Sequence, residues 1–256
     1  MSNFMNKLDQ LFAEKKSGLF MAHMIAGYPT IEDSEKVAEA LAKGGADIIE
    51  LQIPFSDPMA DGPAISVASD EAIKSGATVA KSLALLGKVA KLGKPVVVMT
   101  YINIPFRYGI PKFVKTLAKA GASALIVPDC PFDTEEGREL LTACKENDVY
   151  LIPVVSPGVP KERLEQLARD ASGFVYCTSR QGITGANSKF AKELFDFVKE
   201  LKQVFKLPIA VGFGVKSKED VAELAKVADI VIAGSVFINT VKNRGDVEKL
   251  TLMLTR

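Results

Sequence analysis

Asp47-Ile48-Ile49-Glu50-Leu51-Gln52-Ile53-Pro54-Phe55-Ser56-Asp57-Pro58-Met59-Ala60-Asp61-Gly62-Pro63 is the stretch whose reading decides the fold. It opens as a strand of apolar and β-branched residues, and Pro54 stops the run. Side chains alternate along a strand. Ile49, Leu51 and Ile53 therefore share one face, and Ile48, Glu50 and Gln52 the other. A carboxylate in such company costs energy unless it is paired, hydrated or protonated. The loop that follows supplies Asp57 and Asp61 among prolines and a glycine. This suggests an acid/base pair, one member on a rigid strand and one on a loop.

Outward from this stretch the pattern repeats. Strands are expected to start near residues 19, 47, 95, 123, 149, 173, 207 and 229, each followed by a helix. Thr30 with Asp33, Asp133 with Glu136, and Ser217 with Asp220 read as helix starts. Pro160 reads as the first residue of another helix. Eight short βα units favour a parallel sheet closed into a (β/α)8 TIM barrel. An open doubly wound sheet is the runner-up. Met1 to Lys16 reads as an extra amphipathic N-terminal helix, not a signal peptide. Pro54 to Gly93 has room for a functional loop and an additional helix. No low-complexity linker interrupts residues 1–256, which read as one domain.

Composition narrows the function. A net charge of +1 gives no reason to expect nucleic acid or a membrane surface, and no apolar run approaches the ~20 residues that span a bilayer. Three cysteines without CxxC spacing fit reduced thiols in a cytoplasmic protein. The sole histidine, His23, excludes a multi-histidine metal site and any Ser-His triad that does not use it.

In a barrel, chemistry lies at the C-terminal ends of the strands. That rule picks out Glu50 and Gln52 at the end of the second strand, Asp57 and Asp61 in its loop, Tyr101 and Asn103 at the end of the third, and Asp129 at the end of the fourth. Tyr176, Ser179 and Arg180 follow the sixth. Three glycine-bearing loops follow the last three strands: Gly182-Ile183-Thr184-Gly185, Gly212-Phe213-Gly214-Val215 and Gly234-Ser235. Glycine lets a backbone approach an anion closely, and helix N–H groups attract it, so these loops read as a phosphate cradle. No Lys or Arg stands as an obvious clamp. The plainer alternatives are a satisfied structural Glu50, Asx-turn roles for Asp57 and Asp61, and turn glycines at 212 and 214. Tyr176 reads more readily as a packed aromatic than as a catalyst, and the two roles are compatible.

Taken together, Glu50 to Pro63, Tyr176 to Gly185, Gly212-Phe213-Gly214 and Ala233-Gly234-Ser235 resemble the tryptophan synthase α-subunit family, and the resemblance runs over essentially the whole chain. It implies cleavage of indole-3-glycerol phosphate to indole and glyceraldehyde 3-phosphate, with no metal or organic cofactor. Glu50 matches the general acid/base and Asp61 the carboxylate that takes the indole N–H. Gly185, Gly214, Gly234 and Ser235 match the phosphate site, and Tyr101 and Tyr176 the pocket lining. Thr184 matches the residue that orients Asp61 when its loop closes.

The resemblance further implies an α2β2 complex with a β subunit that carries pyridoxal phosphate. Asp57, Pro58, Asn103 and Asp129 to Pro131 match its interface. The chain departs from the family pattern at Gln52, usually Gly, at His23, usually an apolar aromatic, and at Ile25, often Thr. These departures are expected to bring polar bulk near the indole. They motivate an alternative, a catalytically weak regulatory subunit that activates the β subunit. A phosphate-binding barrel isomerase would need its acid and base on different strands, which nothing in the sequence favours.

Overall fold

The computed structural model describes residues 6–178, 192–212 and 214–256. Its strands are β1 (Leu19–Ile25), β2 (Ile48–Gln52), β3 (Val96–Met99), β4 (Ala124–Ile126), β5 (Tyr150–Ile152), β6 (Val154–Val155), β7 (Val175–Cys177), β8 (Ile209–Gly212) and β9 (Ile230–Ala233). The pairing is parallel throughout, in the order β5-β4-β3-β2-β1-β9-β8-β7-β6. The single fifth strand expected over residues 149–155 is broken at Pro153, which has no N–H to offer a ladder. Its first half pairs with β4 and its second with β7, while the Pro153 carbonyl accepts from Tyr176 N at 2.9 Å. One stretch of chain thus joins both ends of the sheet, and the eight expected strand positions form the barrel.

Alternation along the strands sorts the core into two layers. Met21, Ile48, Val97, Ile126, Ile152 and Ile230 fill the interior. Ala22, Ile49, Leu51, Val98, Leu125 and Val231 face outward against the helices. The helix α1 (Lys7–Glu14) closes the N-terminal end of the barrel, with Leu8 buried in the inner layer beside Leu19. Asn6 caps it through Leu8 N and reaches the carbonyls of Ser123 and Asp148 at 3.0 and 2.9 Å. Tyr150 donates to the Asp9 carboxylate.

The outer layer follows the expected punctuation, with particular exceptions. Helix α2 (Ile31–Lys43) starts at Thr30, whose side chain accepts from Asp33 N. Helices α3 (Pro63–Lys74) and α4 (Val79–Val89) occupy the long segment after β2. The third strand ends at Met99 rather than Tyr101, and a short helix α5 (Asn103–Tyr108) precedes α6 (Ile110–Ala120). Helix α7 (Glu135–Glu146) is capped by Thr134, which accepts from Gly137 N at 3.0 Å, and not by Asp133. The Asp133 carboxylate is engaged by Arg163 instead. Pro160 occupies the cap position one residue before α8 (Lys161–Asp170), not its first turn. Helices α9 (Lys192–Val204) and α10 (Lys218–Leu224) follow, the latter opened by a Ser217–Asp220 capping box. The chain ends in α11 (Ser235–Lys242) and α12 (Val247–Thr255). Cys130, Cys144 and Cys177 are free, buried thiols. Among the described residues, no helix is long and apolar enough to cross a membrane.

Candidate active site

At the C-terminal ends of the strands a cavity of about 280 Å³ opens between Glu50, Asp61, His23, Tyr176 and the glycines at 212, 214 and 234. Met99, Ile126, Val154 and Ile232 give it an apolar floor, and Ser235 stands at its rim. A larger hollow of about 460 Å³ lies beside the loops at 127–132 and 153–160. It contains neither carboxylate, so the smaller one is the candidate site.

Glu50 points inward from β2 as the alternation requires and is 2 % exposed. Parallel pairing sets His23 of β1 directly beside it. His23 Nδ1 lies 3.4 Å from Glu50 Oε2. That distance permits charge attraction, but the contact does not form a hydrogen bond, and Oε2 has no hydrogen-bond partner in the protein. Burial pushes the His23 imidazole down, and the facing charges of Glu50 and Asp61 more than offset it, so its pKa lies above the usual value. His23 Nε2 is likewise buried and unpartnered.

Asp61 arrives from the loop. Gln52 Nε2, from the inward face of β2, donates to Asp61 Oδ2 at 2.6 Å. This bond replaces the Asx-turn role that the sequence left open for Asp61. Burial raises the Asp61 pKa, while the Gln52 hydrogen bond and the His23 charge oppose the rise. Tyr101 lies beneath the loop rather than on the cavity wall: its hydroxyl accepts from Ala60 N at 3.0 Å, and its ring stacks on Phe55 at 5.4 Å. Asp57 stays outside, exposed and bonded to the Ser56 hydroxyl at 2.6 Å. Asp129 has a structural task, with both its oxygens accepting from Ile102 N.

Tyr176 enters from β7. Burial, followed by the charges of Glu50 and Asp61, pushes its phenol well above the usual range, so it stays protonated. Its hydroxyl would lie 3.1 Å from a Cβ placed on Gly212, so that glycine makes room for it. Gly214 holds the left-handed φ of +59°, with open space where a side chain would be. Gly234 precedes the first residue of α11, whose N-terminal turn borders the cavity. Free N–H groups at such a turn, with the Ser235 hydroxyl, suit an anion. Ser179, Arg180, Gly182, Thr184 and Gly185 lie outside the described residues.

His23 and Gln52 are the residues whose part the sequence reading missed. Gln52 is fully buried behind Asp61 and adds no bulk to the cavity. Its spacing from Glu50 was the available signal, since residues two apart share a strand face. Ile25 packs with Tyr28, Ala68 and Ile238, away from the cavity.

Comparison with known proteins gives the family and the fold. Residues 9–254 match the family described as tryptophan synthase alpha chain. The tryptophan synthase alpha chain of Methanosarcina mazei is 42% identical over 251 residues, covering 98% of this chain and 90% of the relative. That of Desulforapulum autotrophicum is 41% identical over 232 residues, covering 90% and 91%. Among solved structures, tryptophan synthase from M. tuberculosis in its aminoacrylate-bound form superposes with a TM-score of 0.88 at 32% identity, covering 98% of both chains. Tryptophan synthase subunit alpha from Legionella pneumophila gives 0.88 at 29% identity, also covering 98% of both.

Proposed function

The chain belongs to the tryptophan synthase α-chain family, a carbon–carbon lyase family of tryptophan biosynthesis, and from that premise we infer that Glu50 and Asp61 carry the cleavage of indole-3-glycerol phosphate. The observation that supports this most is that both carboxylates face one cavity whose far side is built from Gly214, Gly234 and Ser235.

Glu50 delivers a proton to indole C3, leaving positive charge spread towards the ring nitrogen. Asp61, accepting the indole N–H, stabilises that charge electrostatically. Glu50 then takes the proton of the hydroxyl on the carbon attached to the ring. The bond between that carbon and indole C3 breaks, its electron pair restores the indole, and the carbon becomes the aldehyde of glyceraldehyde 3-phosphate. One proton enters and one leaves, so Glu50 returns to its starting state. The phosphate, held by backbone N–H groups and Ser235, anchors the far end and orients the reacting one. Gly185 would add to that cradle and Thr184 would orient Asp61. Tyr176 presents a neutral phenol to the substrate, and Tyr101 acts through the loop beneath which it lies. This sequence of steps uses no metal or cofactor. His23 puts a polar ring in the cavity wall as expected, whereas Gln52 lies behind Asp61. The cavity stays open to both carboxylates, so neither residue favours the alternative of a catalytically weak regulatory subunit that activates the β subunit.

We place the β subunit, bearing pyridoxal phosphate in an α2β2 assembly, on the rim around the site. Met59 and Phe106 are 87% and 64% exposed there. A groove of about 320 Å³ is lined by Asn103, Phe106, Asp129 and Pro131. The expected location is the cytoplasm.

Purified protein given indole-3-glycerol phosphate should release indole, and faster with the β subunit. Glu50→Gln should cut turnover by roughly 10²- to 10⁴-fold while sparing binding of a phosphate ligand. An unchanged rate would reassign the base.

A further inference from the structure

The steps assigned to Glu50, Asp61 and the glycine loops make no use of His23 Nε2. This atom is buried, has no partner in the protein, and belongs to a residue of the cavity wall. Nδ1 faces Glu50 at 3.4 Å. On its other side His23 neighbours Gly234, as the pairing of β1 with β9 requires: a Cβ placed on Gly234 would lie 3.5 Å from His23 Cβ and 3.6 Å from Cδ2, the atom bonded to Nε2. The imidazole therefore stands between the proposed acid/base and the proposed phosphate cradle.

The substrate has the same order of groups. Its reacting hydroxyl carbon, which belongs at Glu50, is separated from the phosphate ester oxygen by a carbon bearing a second hydroxyl and then a methylene. We propose that His23 Nε2 hydrogen-bonds this middle hydroxyl of the glycerol chain and selects for it. The proposal rests on the reading of Glu50 as the acid/base and of Gly214, Gly234 and Ser235 as the phosphate site.

The chemistry suits a hydroxyl better than the substrate's other polar groups. Nδ1 faces the Glu50 carboxylate, and a proton held there leaves Nε2 an acceptor in neutral imidazole, while imidazolium makes it a donor. A hydroxyl can both give and take a hydrogen bond, so it satisfies either state. A phosphate oxygen would need the charged form, and the indole N–H would need the neutral one. A buried polar atom left without a partner is costly, so a ligand lacking the hydroxyl should bind less well.

The test compares two ligands that differ only in that hydroxyl, glycerol 3-phosphate and 3-hydroxypropyl phosphate, by calorimetry on the purified chain. The wild type should prefer glycerol 3-phosphate by roughly 10-fold. His23→Phe, which keeps the ring volume and removes both nitrogens, should bring the two affinities within about twofold. His23→Gln keeps a polar group and should retain part of the preference, and it serves as the readout if the phenylalanine variant misfolds. The substrate and its analogue lacking the middle hydroxyl should show the same pattern in kcat/KM. Equal binding by the wild type, or a preference that survives in His23→Phe, overturns the assignment of His23 alone. Binding of neither phosphate by the wild type would instead overturn the phosphate cradle, and the proposal with it.

Discussion

Gln52 Nε2 donates to Asp61 Oδ2 across 2.6 Å, so a residue of the rigid barrel wall holds a carboxylate of the mobile-prone loop above it. In the proposed mechanism the bond helps to place Asp61 for the indole N–H, together with the Tyr101 phenol beneath the loop. It also favours the ionised form of Asp61, because a hydrogen bond to a carboxylate lowers its pKa. Gln52→Leu keeps most of the volume and removes the donor. The Asp61 pKa should rise further, moving the acidic limb of the kcat/KM profile to higher pH. Activity at neutral pH should fall by roughly 10-fold, consistent with the loss of a hydrogen bond to a charged group. A profile with an unmoved acidic limb would show that Asp61 is placed by something else.

His23 offers a direct view of the site's electrostatics, since it is the only histidine in the chain. Its ring nitrogens can be followed by ¹⁵N NMR through a pH titration without assignment. The groups facing it are Glu50 on β2, Asp61 on the following loop and Tyr176 on β7, with Tyr101 below that loop. Burial lowers its pKa, and Glu50 and then Asp61 raise it above 6.5. Replacing Glu50 by Gln removes the leading favourable charge, so the titration should move down, below the wild-type midpoint. The sign carries over to stability. A histidine whose folded pKa is raised stabilises the protein fully below the unfolded value of about 6.5 and loses that contribution as pH climbs through the folded value. Asp61, also raised, acts in the same direction at lower pH. The melting temperature should therefore decline from about pH 6.5 upward in the wild type and decline less in Glu50→Gln.

Phe106 is 64% exposed at the end of α5, beside the groove formed with Asp129 and Pro131. A large aromatic in water next to a groove is the kind of side chain that anchors a protein interface. Phe106→Asp should weaken β-subunit binding by 10-fold or more, on the order of 2 kcal/mol for an anchor residue. Indole release by the isolated chain should be unchanged, since Phe106 lies outside the cavity. Sedimentation of mixtures of the two subunits would read the affinity, and undiminished association would move the interface elsewhere.

How far these relationships were legible in the sequence depends on whether they are local. The alternation along 48–53 put Glu50 and Gln52 on one face because a strand has a period of two, and the structure keeps them there. The Ser217–Asp220 box was legible because its partners sit three residues apart in one helix turn. Asp133 and Thr134 were not separable, since either can cap a helix. The choice was made by Arg163, which is thirty residues away and takes the Asp133 carboxylate. The short helix α5 escaped because Pro105 inside it reads as a breaker. Above all, His23 faces Glu50 through the register of β1 on β2, and register belongs to the pair of strands, not to either alone.

The Tyr101 hydroxyl carries a consequence for catalysis that does not require substrate contact. It accepts from Ala60 N at 3.0 Å, one residue before Asp61, while its ring stacks on Phe55 at the start of the same loop. The two contacts fix the loop at both ends, and Gln52 fixes the carboxylate itself. Tyr101→Phe keeps the stacking and removes the hydroxyl, both the acceptor for Ala60 N and the donor beside the Asp61 carboxylate, leaving Ala60 N to find water. Stability should drop by about 1 kcal/mol, the usual net worth of one hydrogen bond. The larger effect should fall on turnover. The proposed phosphate cradle of Gly214, Gly234 and Ser235 is untouched, so KM should change little. The indole-facing carboxylate loses part of its placement, so kcat should fall several-fold. A rise in KM at constant kcat would show instead that the phenol contributes to binding, and that the loop keeps its shape without it.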